Sequence, residues 1–256
     1  MALIDARGVG KVYSNSNSDP TAALEDFTLQ VDSNEFVSIV GPSGCGKTTF
    51  LLMVAGLESV TSGDLLLEDR PVDGPDPGHA IVFQEFLLFP WRTVWKNVEF
   101  GPEIRGVSKR NRGEIVSKYI RMVGLEGFEH RYPHELSGGM KQKAAIARAL
   151  ANEPRVLLMD EPFASLDALT RETLQQELLR IWRQTDATVL FVTHSISEAV
   201  YLADRVVVMG RRPGKIRGSA RIDLPRPRTA EMLTSPEFIG YERYIRELVW
   251  DEDRKN

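Results

Sequence analysis

The chain has 256 residues, 42% of them hydrophobic, a formal net charge of −4 and one cysteine. That is material for one large domain, or a domain with a subdomain, and it excludes a disordered chain. The slightly acidic balance argues against broad nucleic-acid binding, a lone cysteine cannot form an internal disulfide, and the apolar runs at 50–57 and 187–192 are far shorter than the ~18 residues of a membrane helix.

Residues 1–5 lack a basic start followed by a long apolar run, so no signal peptide is expected and the protein is expected in the cytoplasm. Residues 3–12 alternate as an edge strand closed by Lys11-Val12-Tyr13, 14–20 form a polar loop, and 23–31 alternate again through Leu24, Phe27, Leu29 and Val31. The run 35–40 reads as a strand and 50–57 as a helix. Between them Gly41-Pro42-Ser43-Gly44-Cys45-Gly46-Lys47-Thr48-Thr49 has the form GxxxxGK(S/T). Strand, glycine loop and helix let successive N–H groups surround a phosphate chain at a helix N-terminus. Lys47 would reach the terminal phosphates and Thr48 would place a hydroxyl on the bridging Mg²⁺. Cys45 reads either as a small residue at a variable position or as a thiol with a lowered pKa at a helix start.

Further along, 63–68 reads as a return strand, 71–78 as a turn-rich connection and 80–84 as a buried strand ending in Gln84. Several strands thus precede the first long helix, which predicts an antiparallel layer beside a parallel core. The spacing predicts helices over 93–105, 108–123 and 139–152, a helical block inserted between two parts of an α/β core. Residues 156–159 then form a strand ended by Asp160-Glu161, 166–184 a helix, 188–193 a strand ending at His194, 196–203 a helix and 205–209 a strand. Past Pro225 the chain reads as a peripheral tail, with Ser235-Pro236 as a helix start and Phe238, Tyr241, Ile245 and Leu248 at helical spacing. His130 and His134 are four apart, but Pro133 between them spoils a regular helix, so no metal pair is expected there.

Two more stretches carry chemistry. Asp160 at a strand end suits the Mg²⁺ shell, and Glu161 beside it can polarise a water. In Leu136-Ser137-Gly138-Gly139-Met140 a serine and two glycines open a second anion-binding helix start. The loop at 41–49, this stretch and Asp160-Glu161 stand in an order that resembles the ATP-binding cassette (ABC) ATPases over about residues 3–220: they look like Walker A, signature and Walker B.

The resemblance implies an α/β P-loop NTPase (ABC ATPase) core with an antiparallel β layer and an inserted α-helical subdomain. Its implied division is a discontinuous core at 1–85 and 155–222, a helical signature subdomain at 86–154 and a peripheral tail at 223–256. It further implies that Tyr13 stacks on adenine, that Gln84 touches metal or water and senses a membrane partner, that Ser165-Leu166-Asp167 crosses a dimer interface, and that His194 lies near the γ-phosphate. Two copies would face head to tail, with Lys47, Thr48, Asp160, Glu161 and His194 from one and Ser137 and Gly139 from the other. Met140 departs from the glutamine common at the end of the signature. Residues 82–94 with Asn97-Val98, 161–171 and 211–216 look like the importer ATPases of the nitrate, sulfonate, taurine and bicarbonate group. That group implies ATP hydrolysis at the cytoplasmic face of the membrane, integral permease subunits, an extracytoplasmic solute-binding protein and no nucleic acid. The apolar stretch 86–91 is there either a permease docking segment or local core packing. A soluble ABC-fold ATPase would bring a long coiled-coil insertion, a second cassette or a basic face, and a P-loop phosphotransferase would not need Leu136–Met140; both remain as alternatives.

Overall fold

The structure is a computed structural model that describes residues 2–14 and 19–250. The expectations for the first residue, for the polar loop at 15–18 and for the tail at 251–256 lie outside the described residues. In chain order the elements are β1 (Ala2–Tyr13), β2 (Thr21–Asp32), β3 (Phe36–Val40), α1 (Lys47–Val54), β4 (Ser62–Leu67), β5 (Arg70–Pro71), β6 (His79–Val82), α2 (Val94–Ile104) and α3 (Lys109–Met122). They continue with α4 (Gly138–Leu150), β7 (Val156–Asp160), α5 (Ala168–Trp182), β8 (Thr188–Thr193), α6 (Ile196–Leu202), β9 (Arg205–Met209), β10 (Ile216–Arg221) and α7 (Pro236–Trp250). Two compact units result, one from the described residues up to Asp76 together with those from Thr188 onward, the other from Pro77–Ala187.

In the first unit, β2, β1, β4 and β5 form an antiparallel sheet in that order. β3 pairs in parallel with β8 on one side and β9 on the other, and β10 runs antiparallel to β9. All five residues of β3 are buried, as a parallel strand covered on both faces requires. Phe27 of β2 and Phe50 of α1, both without exposed surface, meet at 4.4 Å between ring centroids and lock the helix after the loop against the antiparallel layer. The strand at 216–221 has no signal in the sequence. Ile-Arg-Gly-Ser-Ala-Arg has no apolar alternation of its own and becomes a strand by pairing with β9 alone, where exposed alternate residues are tolerated.

α7 starts where the Ser235-Pro236 pair indicates: the Ser235 hydroxyl accepts from the Phe238 N–H at 3.2 Å, and Phe238 and Ile245 are buried. Ahead of it, buried Arg228 donates to the carbonyls of Val200, Tyr201 and Ile222. Burial draws its pKa down to about 10.

The second unit pairs β6 with β7 in parallel and carries α2 to α5. Side-chain oxygens of Thr93, Ser108, Ser137 and Asp167 cap these four helices by accepting from the N–H three residues on. Val94 and Val98, Val116 and Ile120, and Ala145 and Ala149 bury one face of α2, α3 and α4 respectively.

Candidate nucleotide site

In the first unit β3 delivers the chain to Gly41 and α1 takes it away at Lys47. Gly46 caps α1 with φ at 96°, a conformation that only glycine holds without strain. Gly41 has a different reason to be glycine, since a Cβ there would lie 2.7 Å from the Met209 carbonyl at the end of β9. α1 therefore begins three residues earlier than its apolar run suggests: the N–H groups of its first turn face the loop. The Lys47 ammonium, buried, donates to the carbonyls of Gly41 and Pro42 at 2.8 and 3.0 Å. Thr48 is exposed.

Cys45 is buried, with its sulfur 3.9 Å from the Lys47 ammonium. Burial pushes the thiol pKa up, and the lysine charge opposes this only in part. The low-pKa reading of this thiol is thereby corrected: desolvation outweighs both the helix start and the cation. Behind the loop runs 211–214, where Gly214 donates to the Ala23 carbonyl at 2.9 Å and accepts from the Glu25 N–H at 3.2 Å. A Cβ on Gly214 would sit 2.0 Å from the Cys45 carbonyl oxygen.

His194, exposed after β8, shares a cavity of about 600 Å³ with Gly41, Pro42, Ser43, Arg211 and, from α7, Arg246 and Trp250. The structure thus brings the phosphate loop and the histidine to one opening. Sequence reasoning gave α7 no part in that wall, because its approach to the loop depends on packing against α6 and β10. Tyr13 does not line the cavity; it ends β1, 37% exposed, with the Lys11 ammonium 5.0 Å from its ring centroid.

In the second unit Val82 of β6 pairs with Met159 of β7, so Gln84 and Glu161 each lie two residues beyond that pair, at the same end of two parallel strands. Glu161 has φ at 45°, a left-handed backbone that a non-glycine residue holds only when its surroundings fix it. Ser137 caps α4 by accepting from the Met140 N–H at 3.3 Å. A Cβ on Gly139 would meet the Thr170 methyl at 2.8 Å, so this glycine lets the start of α5 approach the start of α4. Asp167 caps α5, and the Thr170 N–H, donating at 3.0 Å, holds its carboxyl below the ordinary aspartate value. Ser137 to Gly139 and Leu166 to Thr170 are therefore neighbours; Gln84, Asp160 and Glu161 belong to a second cluster of the same unit.

Thr48 in the first unit offers a hydroxyl oxygen, and Gln84 and Asp160 in the second offer amide and carboxylate oxygens, donors of the kind a hard cation takes. Among the described residues no three His, Cys, Asp or Glu side chains cluster as a metal cage. His134, in the single helical turn Pro133–Glu135, stacks at 5.8 Å on Tyr132, which precedes that turn.

A family model described as "ABC transporter" matches residues 24–164. An uncharacterised ABC transporter ATP-binding protein of Methanocaldococcus jannaschii is 54% identical over 240 residues, 94% of this chain and 89% of that protein. The taurine import ATP-binding protein TauB of Roseobacter denitrificans is 42% identical, covering 93% of this chain and 91% of its own. The nitrate import ATP-binding protein NrtD of Synechocystis sp. is 44% identical, covering 89% and 88%. The fold is similar to the dimeric ATP-binding cassette MJ0796 solved in a post-hydrolysis state with ADP and Pi, at a TM-score of 0.75 and 30% identity over 87% of this chain and 100% of that one.

Proposed function

The chain belongs to the ABC transporter ATP-binding proteins and is an ATPase of that family, and from this premise we propose that it energises the import of a small anionic solute such as an aliphatic sulfonate, taurine, nitrate or bicarbonate. The observation that carries the ATPase reading is the glycine loop on buried β3, with buried Lys47 bonded to its carbonyls and His194 on the cavity that Gly41 to Ser43 line. The importer reading rests on relatives named for taurine and for nitrate at nearly equal identity. That near equality fits a solute selected elsewhere, in permease and solute-binding subunits of the proposed importer.

ATP would lie along 41–49, its phosphates on the loop N–H groups and on Lys47, with adenine against Tyr13. Thr48, Gln84 and Asp160 would hold Mg²⁺, which supplies charge neutralisation between the terminal phosphates. Glu161 would take a proton from the attacking water and His194 would contact the γ-phosphate. Ser137, Gly138, Gly139 and Asp167 would meet the nucleotide and loop of a second copy, head to tail. Gln84 and Glu161 follow β6 and β7 closely, so the functional core is drawn as 1–85 with 155–222; 86–154 would present the signature and 223–256 would be a peripheral tail. No described helix is long and apolar enough to cross a membrane, and the subunit would sit at the cytoplasmic face against integral permease subunits.

Steady-state hydrolysis and nucleotide titration test this assignment. Glu161→Gln should keep ATP affinity and lose about 100-fold or more in kcat, the low end for removing a positioned base, while Lys47→Ala should lose affinity and turnover together. Hydrolysis at the wild-type rate by Glu161→Gln would reject Glu161 as the base.

A further inference from the structure

α4 begins at the signature serine and, eleven residues or about 16 Å along its axis, carries Arg148. The guanidinium of Arg148 reaches back to the segment that leaves Gln84: Nη1 donates to the Leu87 carbonyl at 2.6 Å and Nη2 to the Phe86 carbonyl at 3.3 Å. It also lies 5.7 Å from the centroid of the Phe89 ring. Leu87 itself has φ at 44° although it is not glycine. A left-handed leucine persists only where neighbours hold it, and the Arg148 bonds fall on the carbonyls of residues 86 and 87 themselves. Arg148 is half-buried, and desolvation lowers its pKa from the ordinary arginine value.

The other end of the same segment is fastened to α2. Asn97 has no exposed surface; its Oδ1 accepts from the Phe89 N–H at 2.8 Å. Its Nδ2 is within 3.2 Å of the Phe89 carbonyl and within 3.0 Å of the carbonyls of Arg92 and Thr93. Residues 86–93 are thus a strained bridge with one foot on α2 and the other on the helix that starts at the signature.

We propose that Arg148 is a positioning residue that makes residues 86–92 follow the signature helix, so that nucleotide engagement at Ser137–Gly139 is felt at the exposed side chains of Leu87 and Trp91. The proposal rests on the reading that Ser137 and Gly139 engage ATP bound to a second copy. Lysine cannot replace this arginine, because one ammonium does not span two carbonyls in a fixed fork.

The test is amide hydrogen exchange over residues 86–92 in the full chain, with and without adenylyl imidodiphosphate, a non-hydrolysable ATP analogue. The wild type should change its exchange in this segment when the analogue is bound and the dimer forms. Arg148→Ala and Arg148→Lys should bind the analogue with unchanged affinity and lose that change, with faster exchange at residues 87–89 at the start. Arg148→Lys keeps stem and charge, and carries the test if the alanine variant does not fold. An equal response in wild type and Arg148→Lys overturns the proposal, as does a wild type that dimerises with the analogue while 86–92 stays unresponsive. Failure of the wild type to bind the analogue would instead remove the proposed function on which the link rests.

Discussion

Around Lys47 the side chains are few and the backbone does most of the holding, which makes the one thiol there a useful reporter. Cys45 is buried and its pKa is raised by desolvation, so at neutral pH the unreactive protonated thiol dominates and thiolate is the minor species. Alkylation by a maleimide should therefore be slow at pH 7, rise about tenfold per pH unit up to the thiol pKa, and be suppressed by prior ATP. A fast, pH-independent reaction would mean that the thiol is already ionised, and one indifferent to ATP that it lies away from the nucleotide. The place of Glu161 at a strand end was legible from the four apolar residues before Asp160, but its left-handed backbone was not, because nothing in Met159-Asp160-Glu161-Pro162 specifies φ.

Among the elements, the short segment behind the phosphate loop has little tolerance for a larger residue. Gly214→Ala would drive a methyl onto the Cys45 carbonyl, a contact of 2.0 Å that only a backbone shift relieves. It should weaken ATP binding and cost about 1–3 kcal/mol, read by thermal unfolding and nucleotide titration. Gly240→Ala is the matched control: with open space around it in α7, it should stabilise by up to about 1 kcal/mol. Equal effects of the two would show that the loop has no support to lose. Elements with local signals were legible in the sequence: β8 and β9 fall at the expected residues, and the helix starts at Thr93, Ser108, Ser137 and Ser235 follow from side chains that reach their own third neighbour. What stayed hidden depends on partners far along the chain. β10 exists because β9 accepts it, Gly214 matters because Cys45 lies against it, and Arg148 reaches a carbonyl 61 residues back.

For the whole molecule, the stretch at 86–91 divides its labour between packing and display. Phe89 packs on Phe100 at 4.6 Å and takes the Arg92 guanidinium at 5.7 Å, whereas Trp91 is 71% exposed and Leu87 52%. Trp91→Glu should leave folding and ATP affinity intact yet weaken assembly with the permease, or abolish solute-stimulated hydrolysis in the reconstituted transporter. Phe89→Ser should first lower stability. A reconstituted Trp91→Glu complex with full stimulation would move the docking surface elsewhere. The first unit is also assembled from two stretches separated by 111 residues of the second. β3 lies between β8 and β9, Gly41 rests on Met209, and Gly214 backs Cys45. During synthesis, then, the second unit is entire before the floor of the phosphate loop has been made. Long-range pairing of this kind closes late. ATP capture is thereby expected only of chains translated past Gly214, and a product cut short before that residue should bind no nucleotide although it carries the full glycine motif.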